Sequence, residues 1–268
     1  MRLIRPVVAL MLCFAAAAVF AEEDTRTTVT IHRATGPITI DGDLSDSGWQ
    51  NATKYEKWYE TNVGDNVEPP VKQIGYVTYD DHFLYVGIDM WDPDPKSINS
   101  ILGDHDNVSG NTDDYAGLLI DTRYDSKSGY LFLVNAQNVQ YDASTDDASG
   151  EDNSPDYYWD SAAKRNDHGW AVEMRIPFSS LRYKRVDPQT WGILLYRNYP
   201  RDRRYQMFTD RLPRGGNCFV CRWSTAVGFE GLPSGGHVVA APYVTARSIS
   251  VPCGPSHWQS CQWYRRVT

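Results

Sequence analysis

The sequence predicts an all-β protein folded as an antiparallel β-sandwich, and three observations carry the prediction. Apolar and polar residues alternate over runs of five to eight residues, the period of a strand with one buried face. Gly, Asp and Asn cluster between the runs, where tight turns need them. No stretch of 12 residues keeps a clean 3.6-residue period, so an amphipathic helix has nowhere to form. Many short strands with short polar connections stack as two sheets around a shared core.

The chain starts MRLIRPVVALMLCFAAAAVFA. Arg2 and Arg5 precede a run that is apolar from Pro6 to Ala21, with Val19 and Ala21 at the minus-three and minus-one positions. That is the layout of a secretory signal cleaved after Ala21, too short for a membrane span, so residues 1–21 read as a signal peptide. Cys13 lies inside the apolar run and leaves with it. Thr28–His32 is the opening strand, Ile38–Ile40 a short one ended by Asp41-Gly42, and Ser45–Ala52 a single helical turn seating Trp49 in the core. Strands follow at Val71–Tyr79 and Leu84–Met90, joined through Asp80-Asp81 as a hairpin, then at Tyr115–Asp121, Tyr130–Asn135 and Trp170–Ile176. Ser179–Tyr183 is a turn after Pro177, and Trp191–Tyr196, Trp223–Phe229 and Val238–Thr245 continue the strand pattern.

Residues 143–156 read as an exposed acidic loop and 198–222 as an Arg-rich excursion beyond the sandwich. The β-sandwich is placed at 28–232 with its core at 38–197. The remainder, 233–268, reads as a truncated or atypical C-terminal extension.

Removing the signal takes away two of the 26 basic residues and none of the 34 acids, leaving a net charge of −10. That balance disfavours nucleic acid, whose binding rests on phosphate neutralisation by Lys and Arg. No later segment reaches 18 consecutive apolar residues, which argues against a further membrane helix but does not speak to barrel strands. Cys218, Cys221, Cys253 and Cys261 fall in the last fifth of the chain. In an exported protein they are candidates for disulfides, and 218–221 with 253–261 is one of three pairings. Half of a zinc site, with His237 and His257 as loose partners, is a second reading. A redox CxxC is a third, although Gly215-Gly216-Asn217 ahead of it reads as a turn.

In order along the chain, several segments resemble the carbohydrate-binding module family 9 type of domain. They are Asp41-Gly42-x-Leu44-(x)4-Trp49, the Tyr79-Asp80-Asp81-(x)2-Leu84-Tyr85-Val86 hairpin, the loop Asp92-Pro93-Asp94-Pro95, Asp114-(x)6-Asp121, and Gly169-Trp170-(x)2-Glu173-(x)2-Ile176-Pro177. More narrowly, Phe132-(x)2-Asn135, Trp159-Asp160 and Phe178-Ser179-Ser180-Leu181-Arg182-Tyr183 resemble the amino-terminal domain of a bacterial exported family. In that family the module precedes a long region that forms an outer-membrane β-barrel, which would start here near Pro242–Thr245. The likeness covers about 38–197, with a weaker extension through Pro233–Thr245. It implies a family 9 β-sandwich and a noncatalytic domain that recognises a saccharide. It also implies structural calcium among strand-end loops, a barrel region as partner, and a place in the periplasm or on the periplasmic side of the outer membrane.

Sugar binding needs a flat apolar face for the pyranose ring and planar polar groups for its hydroxyls. Trp49, Trp170 and Trp191 sit in strand motifs and read as core, whereas Trp58, Trp91 and Trp159 adjoin polar loops and are the platform candidates. The aromatic pair that clamps a sugar end in the family has no residue-by-residue match here. Asp92, Asp94, Asp104, Asp106, Asp113 and Asp114 form an acidic cluster in two consecutive loops. Of these, Asp92, Asp94, Asp113 and Asp114 are the calcium candidates, because calcium gathers carboxylate and carbonyl oxygens; the alternative is a solvated acidic rim. Asp142, Asp146, Asp147, Glu151 and Asp152 make a second acidic stretch.

Catalysis finds little support. No GxSxG, HExxH or phosphate-binding glycine loop occurs, and with 34 acids some carboxylate pair always lies close enough to imitate a glycosidase. Glu173 alternates with Val172 and Met174, on the solvent face or paired with an arginine. Two readings other than saccharide binding remain: a structural accessory of an outer-membrane barrel with no sugar ligand, and a glycoside hydrolase.

Overall fold

The alternation is realised as fifteen strands in two sheets in the computed structural model, which describes residues 26–233. In chain order the strands are β1 (Thr28–Thr30), β2 (His32–Arg33), β3 (Thr53–Tyr55), β4 (Tyr59–Asn62), β5 (Gln73–Tyr79), β6 (Phe83–Trp91), β7 (Tyr115–Asp121) and β8 (Ser128–Asn135). There follow β9 (Gln140–Asp146), β10 (Gly150–Asp152), β11 (Asp160–Asn166), β12 (Gly169–Pro177), β13 (Gln189–Pro200), β14 (Arg204–Phe208) and β15 (Ser224–Phe229). Four short 3-10 turns are the only helical elements among the described residues.

The larger sheet runs β1-β15-β13-β7-β8-β9-β10, with β14 beside β13 and β4 beside β14. The smaller runs β11-β12-β6-β5-β2, with β3 on β5. Pairing is antiparallel except for β1 on β15 and β2 on β5. The 12-residue β13 lies along β7 on one side; on the other it meets β15 with its first half and β14 with its second. The β5–β6 hairpin turns where the sequence placed it: Asp80 Oδ1 accepts the amides of His82 and Phe83, both at 2.7 Å.

Between the sheets lies the main core, where Trp170 and Trp191 are fully buried beside Val77, Ile88, Leu118 and Phe132. Trp49 is also buried, but in a separate cluster on the outer face of the smaller sheet, with Ile38, Ala52 and Tyr85. The 3-10 turn Ser47–Asn51 puts it there. Glu173 is neither on the solvent face nor paired with an arginine. Its carboxylate is buried and accepts the amides of Asp41 (2.9 Å) and Gly42 (2.8 Å) and the indole N–H of Trp49 (2.8 Å). Gly42 takes φ +81°, a conformation that glycine adopts without strain. The opening segment is thereby sealed across the face of the smaller sheet.

Three other expectations change. Ile38–Ile40 forms no strand; Ile38 instead packs under Trp49. The supposed loop 143–156 contains most of β9 and all of β10, and the 198–222 excursion contains β14. Val238–Thr245 lies outside the described residues.

Candidate functional site

Of the three platform candidates, Trp58 and Trp159 are each only 5% exposed and sit in the core between the sheets. The Trp58 indole donates to the Tyr55 carbonyl at 2.9 Å, and that of Trp159 to Asp142 Oδ2 at 2.8 Å. Neither ring offers a face to a pyranose, so both assignments are corrected: adjacency to a polar loop in sequence did not turn the side chain outward. Trp91, at the end of β6, is partly exposed. Its ring stacks on His168 at 4.5 Å, and Lys72 Nζ lies 4.2 Å from its centroid, so its neighbours already use it.

Three of the four calcium candidates, Asp92, Asp113 and Asp114, are likewise committed inside the protein, and the exposed fourth, Asp94, serves a turn. Arg201 grips Asp114 with two bonds of 2.8 and 3.0 Å and also bonds Asp92, both carboxylates being fully buried. Asp113 accepts the amides of Ile101 (3.0 Å) and Ser109 (2.8 Å), stapling the loop between β6 and β7. Asp94 caps a 3-10 turn by accepting the Lys96 amide at 3.2 Å. A calcium ion at Asp92 and Asp114 would have to share them with a guanidinium that already supplies the positive charge. These residues do not fit the calcium expected of them.

A different set could hold a metal ion. His105, Asp106 and Asp156 offer donor atoms within 4.8 Å of one another. His105 Nδ1 lies 3.2 Å from Asp106, and Nε2 lies 3.2 Å from the buried Asp142, whose carboxyl is pushed up by burial against the bonds from Trp159 and Tyr157. An imidazole with carboxylates suits a borderline divalent metal better than calcium, which prefers oxygen alone.

On the outer face of the larger sheet, side chains of β7, β8, β9, β13 and β14 line a groove of about 380 Å³. Its floor is Tyr115, Leu119, Leu131, Leu133, Tyr196 and Phe208, all buried. Gly117 pairs with Tyr196 on one side and Leu133 on the other, so the middle of this face carries no side chain. Half-exposed Tyr141 and Phe219 rise on the sides, and Val108 comes from the loop beside the His105 cluster. The Cys218–Cys221 disulfide closes the turn that carries Phe219, whereas Cys253 and Cys261 lie outside the described residues.

A polar network crosses this aromatic floor. Gln206 Nε2 donates to the Tyr196 hydroxyl at 2.9 Å, and Arg204 donates to the Tyr115 hydroxyl at 3.0 Å and to Asn198 Oδ1 at 2.8 Å. The Tyr141 hydroxyl donates to Glu151 at 3.3 Å. Burial drives the Tyr196 phenol far up, and burial with the Glu151 charge pushes Tyr141 up to about 12, so both remain neutral donors at ordinary pH. Burial pulls Arg204 down, but the Tyr196 and Tyr115 oxygens outweigh it and raise its pKa. Apolar rings beside planar amide, guanidinium and carboxylate groups are what a sugar needs on its two kinds of surface.

The sequence profile of the family described as carbohydrate family 9 binding domain-like matches residues 40–206. The chain belongs to that family. Solved structures agree at the level of the fold. A carbohydrate-binding module family 9 from Caldicellulosiruptor kristjanssonii in complex with cellotriose superposes with a TM-score of 0.54 at 17% identity, over 81% of this chain and 100% of that one. A candidate carbohydrate-binding protein from Bacteroides uniformis gives 0.58 at 9% identity, over 76% and 99%. A carbohydrate-binding module family 9 from the same organism in complex with glucose gives 0.50 at 18%, over 80% and 100%. No curated protein matches the chain. As a family 9 member the chain is a noncatalytic carbohydrate-binding-type domain.

Sequence reading missed the groove of this family 9 domain. Its signal was present in consecutive apolar residues, Leu118-Leu119, Leu131-Phe132-Leu133-Val134 and Leu194-Leu195-Tyr196. Such runs mark strands covered on both faces rather than one.

Proposed function

We propose that this is an exported domain that binds a saccharide in the groove on the outer face of the larger sheet, with no catalytic step. The observation carrying the reading is that groove: a concave aromatic floor crossed by Arg204 and Gln206 and flanked by half-exposed Tyr141 and Phe219. A pyranose would lie between Tyr141 and Phe219, and its hydroxyls would exchange bonds with Gln206, Arg204 and Glu151. Family membership supports the class of ligand, and the two modules in complex with cellotriose and glucose make those sugars the first probes. A divalent ion at His105, Asp106 and Asp156 would brace the loop carrying Val108.

The accessory reading requires that no concave aromatic site exist. Burial of Trp58 and Trp159 suits it, but the groove does not, so saccharide binding is favoured. Attachment to an outer-membrane barrel, with residence in the periplasm, is compatible with either.

The test is calorimetric titration with cellotriose, glucose and a broad neutral glycan panel. Binding is expected, and Tyr141→Ala and Gln206→Ala should each weaken it about 3- to 15-fold, the worth of one ring face or one hydrogen bond. Absence of binding across the panel by the folded protein overturns the reading.

A further inference from the structure

A second depression lies on another part of the molecule, where β3 and β4 pass the start of β15. It encloses about 810 Å³ and shares no lining residue with the aromatic groove. Its walls carry Lys54, Lys57, Arg211 and Arg222, with Arg26 beside the β7–β8 turn. Against them stand two carboxylates, Glu56 and Asp210. Asp210 is buried and spent on Ser224, accepting its amide at 2.8 Å and its hydroxyl at 2.6 Å. Among the described residues Lys54, Lys57, Arg211 and Arg222 form no ion pair. In a chain of net charge −8, four such cations facing Glu56 as the one carboxylate not already spent is the reverse of the general balance.

Two further features mark the cleft as more than a charged rim. The Lys57 ammonium (5.5 Å from the centroid) and the Arg211 guanidinium (5.0 Å) both lie over the Tyr59 ring, which holds the two cations at one place on the wall. The hydroxyl of Tyr55, which forms part of the wall, is buried and has no hydrogen-bond partner among the described residues. The depression also continues into a neighbouring one of about 580 Å³ through Glu56, Lys57, Tyr59 and Arg211, adding Lys72, Glu68 and the Pro69-Pro70 turn. The result is an elongated track in which bases outnumber acids, with Tyr59 among the residues shared by its two parts.

From this arrangement we infer that the cleft between β3, β4 and β15 is a second binding site, for a saccharide chain bearing carboxylates such as an oligouronate. Guanidinium and ammonium groups pair with the carboxylates, and the Tyr59 ring holds Lys57 and Arg211 in position to do so. A short uronate oligomer carries one carboxylate on each sugar, a row of charges to match the spread of Lys54, Lys57, Arg211 and Arg222 along the cleft. The inference rests on the saccharide-binding reading for its class of ligand, but on different residues for its site.

The experiment titrates the full chain with tetragalacturonate at low ionic strength, and separately with cellotriose. The Lys57→Gln/Arg211→Gln double variant changes two exposed side chains and is checked for an unaltered unfolding midpoint. Tetragalacturonate should bind, bind more weakly as salt rises, and lose about tenfold or more in affinity in the double variant. Tyr59→Ala should weaken it by a smaller factor, and cellotriose binding should be unchanged by all three substitutions. No binding of tetragalacturonate by the folded protein, or binding indifferent to Lys57 and Arg211, overturns the inference. Loss of cellotriose binding alone bears on the aromatic groove and leaves the cleft standing.

Discussion

The two sheets turn unlike faces to their surroundings. On the smaller sheet the outer face is closed by the chain itself: Glu173 reaches out of β12 and takes three N–H donors from the Asp41–Trp49 segment. On the larger sheet the outer face is also aromatic, but its polar groups bond one another along the floor and a groove is left above them. The closed face has spent its hydrogen-bonding capacity on folding. The open face keeps Gln206, Arg204, Glu151 and two ring faces within reach of a ligand. Similar side chains thus serve stability on one side and, in the proposed function, recognition on the other, and the difference lies in whether the chain supplies its own cover.

The contrast is broken most severely at Glu173. Replacing it by Ala orphans the Asp41, Gly42 and Trp49 N–H groups and undoes the seal. At roughly 1.5 kcal/mol for each lost charge-assisted bond, the expected cost is about 4 kcal/mol or more of unfolding free energy, read by denaturant titration. Saccharide affinity of the fraction still folded should stay within about twofold of wild type, because nothing in the groove changes. A variant that is stable but no longer binds would erase the distinction between the faces.

Trp58→Phe sharpens the same point inside the core. It removes the bond to the Tyr55 carbonyl and part of a buried ring, for an expected loss of about 1–3 kcal/mol with saccharide binding retained. Had Trp58 been a platform, the order of the two effects would be reversed. Phe219→Ala is the mirror experiment on the open face. Its ring is half-exposed and touches Phe208 and Trp223 edge-on, so the expected cost in stability is under about 1 kcal/mol, while affinity falls roughly 3- to 10-fold.

Much of the architecture was legible because strand period and turn chemistry are local. The β5–β6 hairpin, β7, β12 and β15 fall where alternation and Asp or Gly punctuation put them. What escaped was decided by neighbours. β11, Asp-Ser-Ala-Ala-Lys-Arg-Asn, is an edge strand paired only to β12, and it has no apolar alternation to betray it. β14 exists because β13 extends past β15 and needs a partner for its second half. The site suffered most. Each aspartate of the predicted calcium set is spent on Arg201, a loop amide or a turn, and sequence spacing does not reveal who will claim a carboxylate. The tryptophans misled for a related reason: Trp159 stands beside a polar loop, yet the buried Asp142 carboxylate holds its indole inward. The family motifs are clearest where they build the closed face, which is why they identify the fold better than the ligand.

The smallest effect separates the faces by pH. Burial holds the Glu173 carboxyl above its ordinary value, outweighing the three donors that favour its charge. In the folded state this group therefore binds a proton over a range where the unfolded chain has already lost it. Its contribution to stability is complete below the unfolded value of about 4.3 and declines as pH rises through the folded value. On the open face Tyr141, at about 12, and Tyr196, higher still, keep their protons well past neutrality. Unfolding free energies of wild type and Glu173→Gln, measured from about pH 4 upward, should draw apart as the wild type alone loses this increment. Saccharide affinity, in contrast, should stay flat between about pH 7 and pH 9. A difference between the two proteins that is independent of pH would show that Glu173 closes its face as a hydrogen-bond acceptor alone, with no proton linked to the seal.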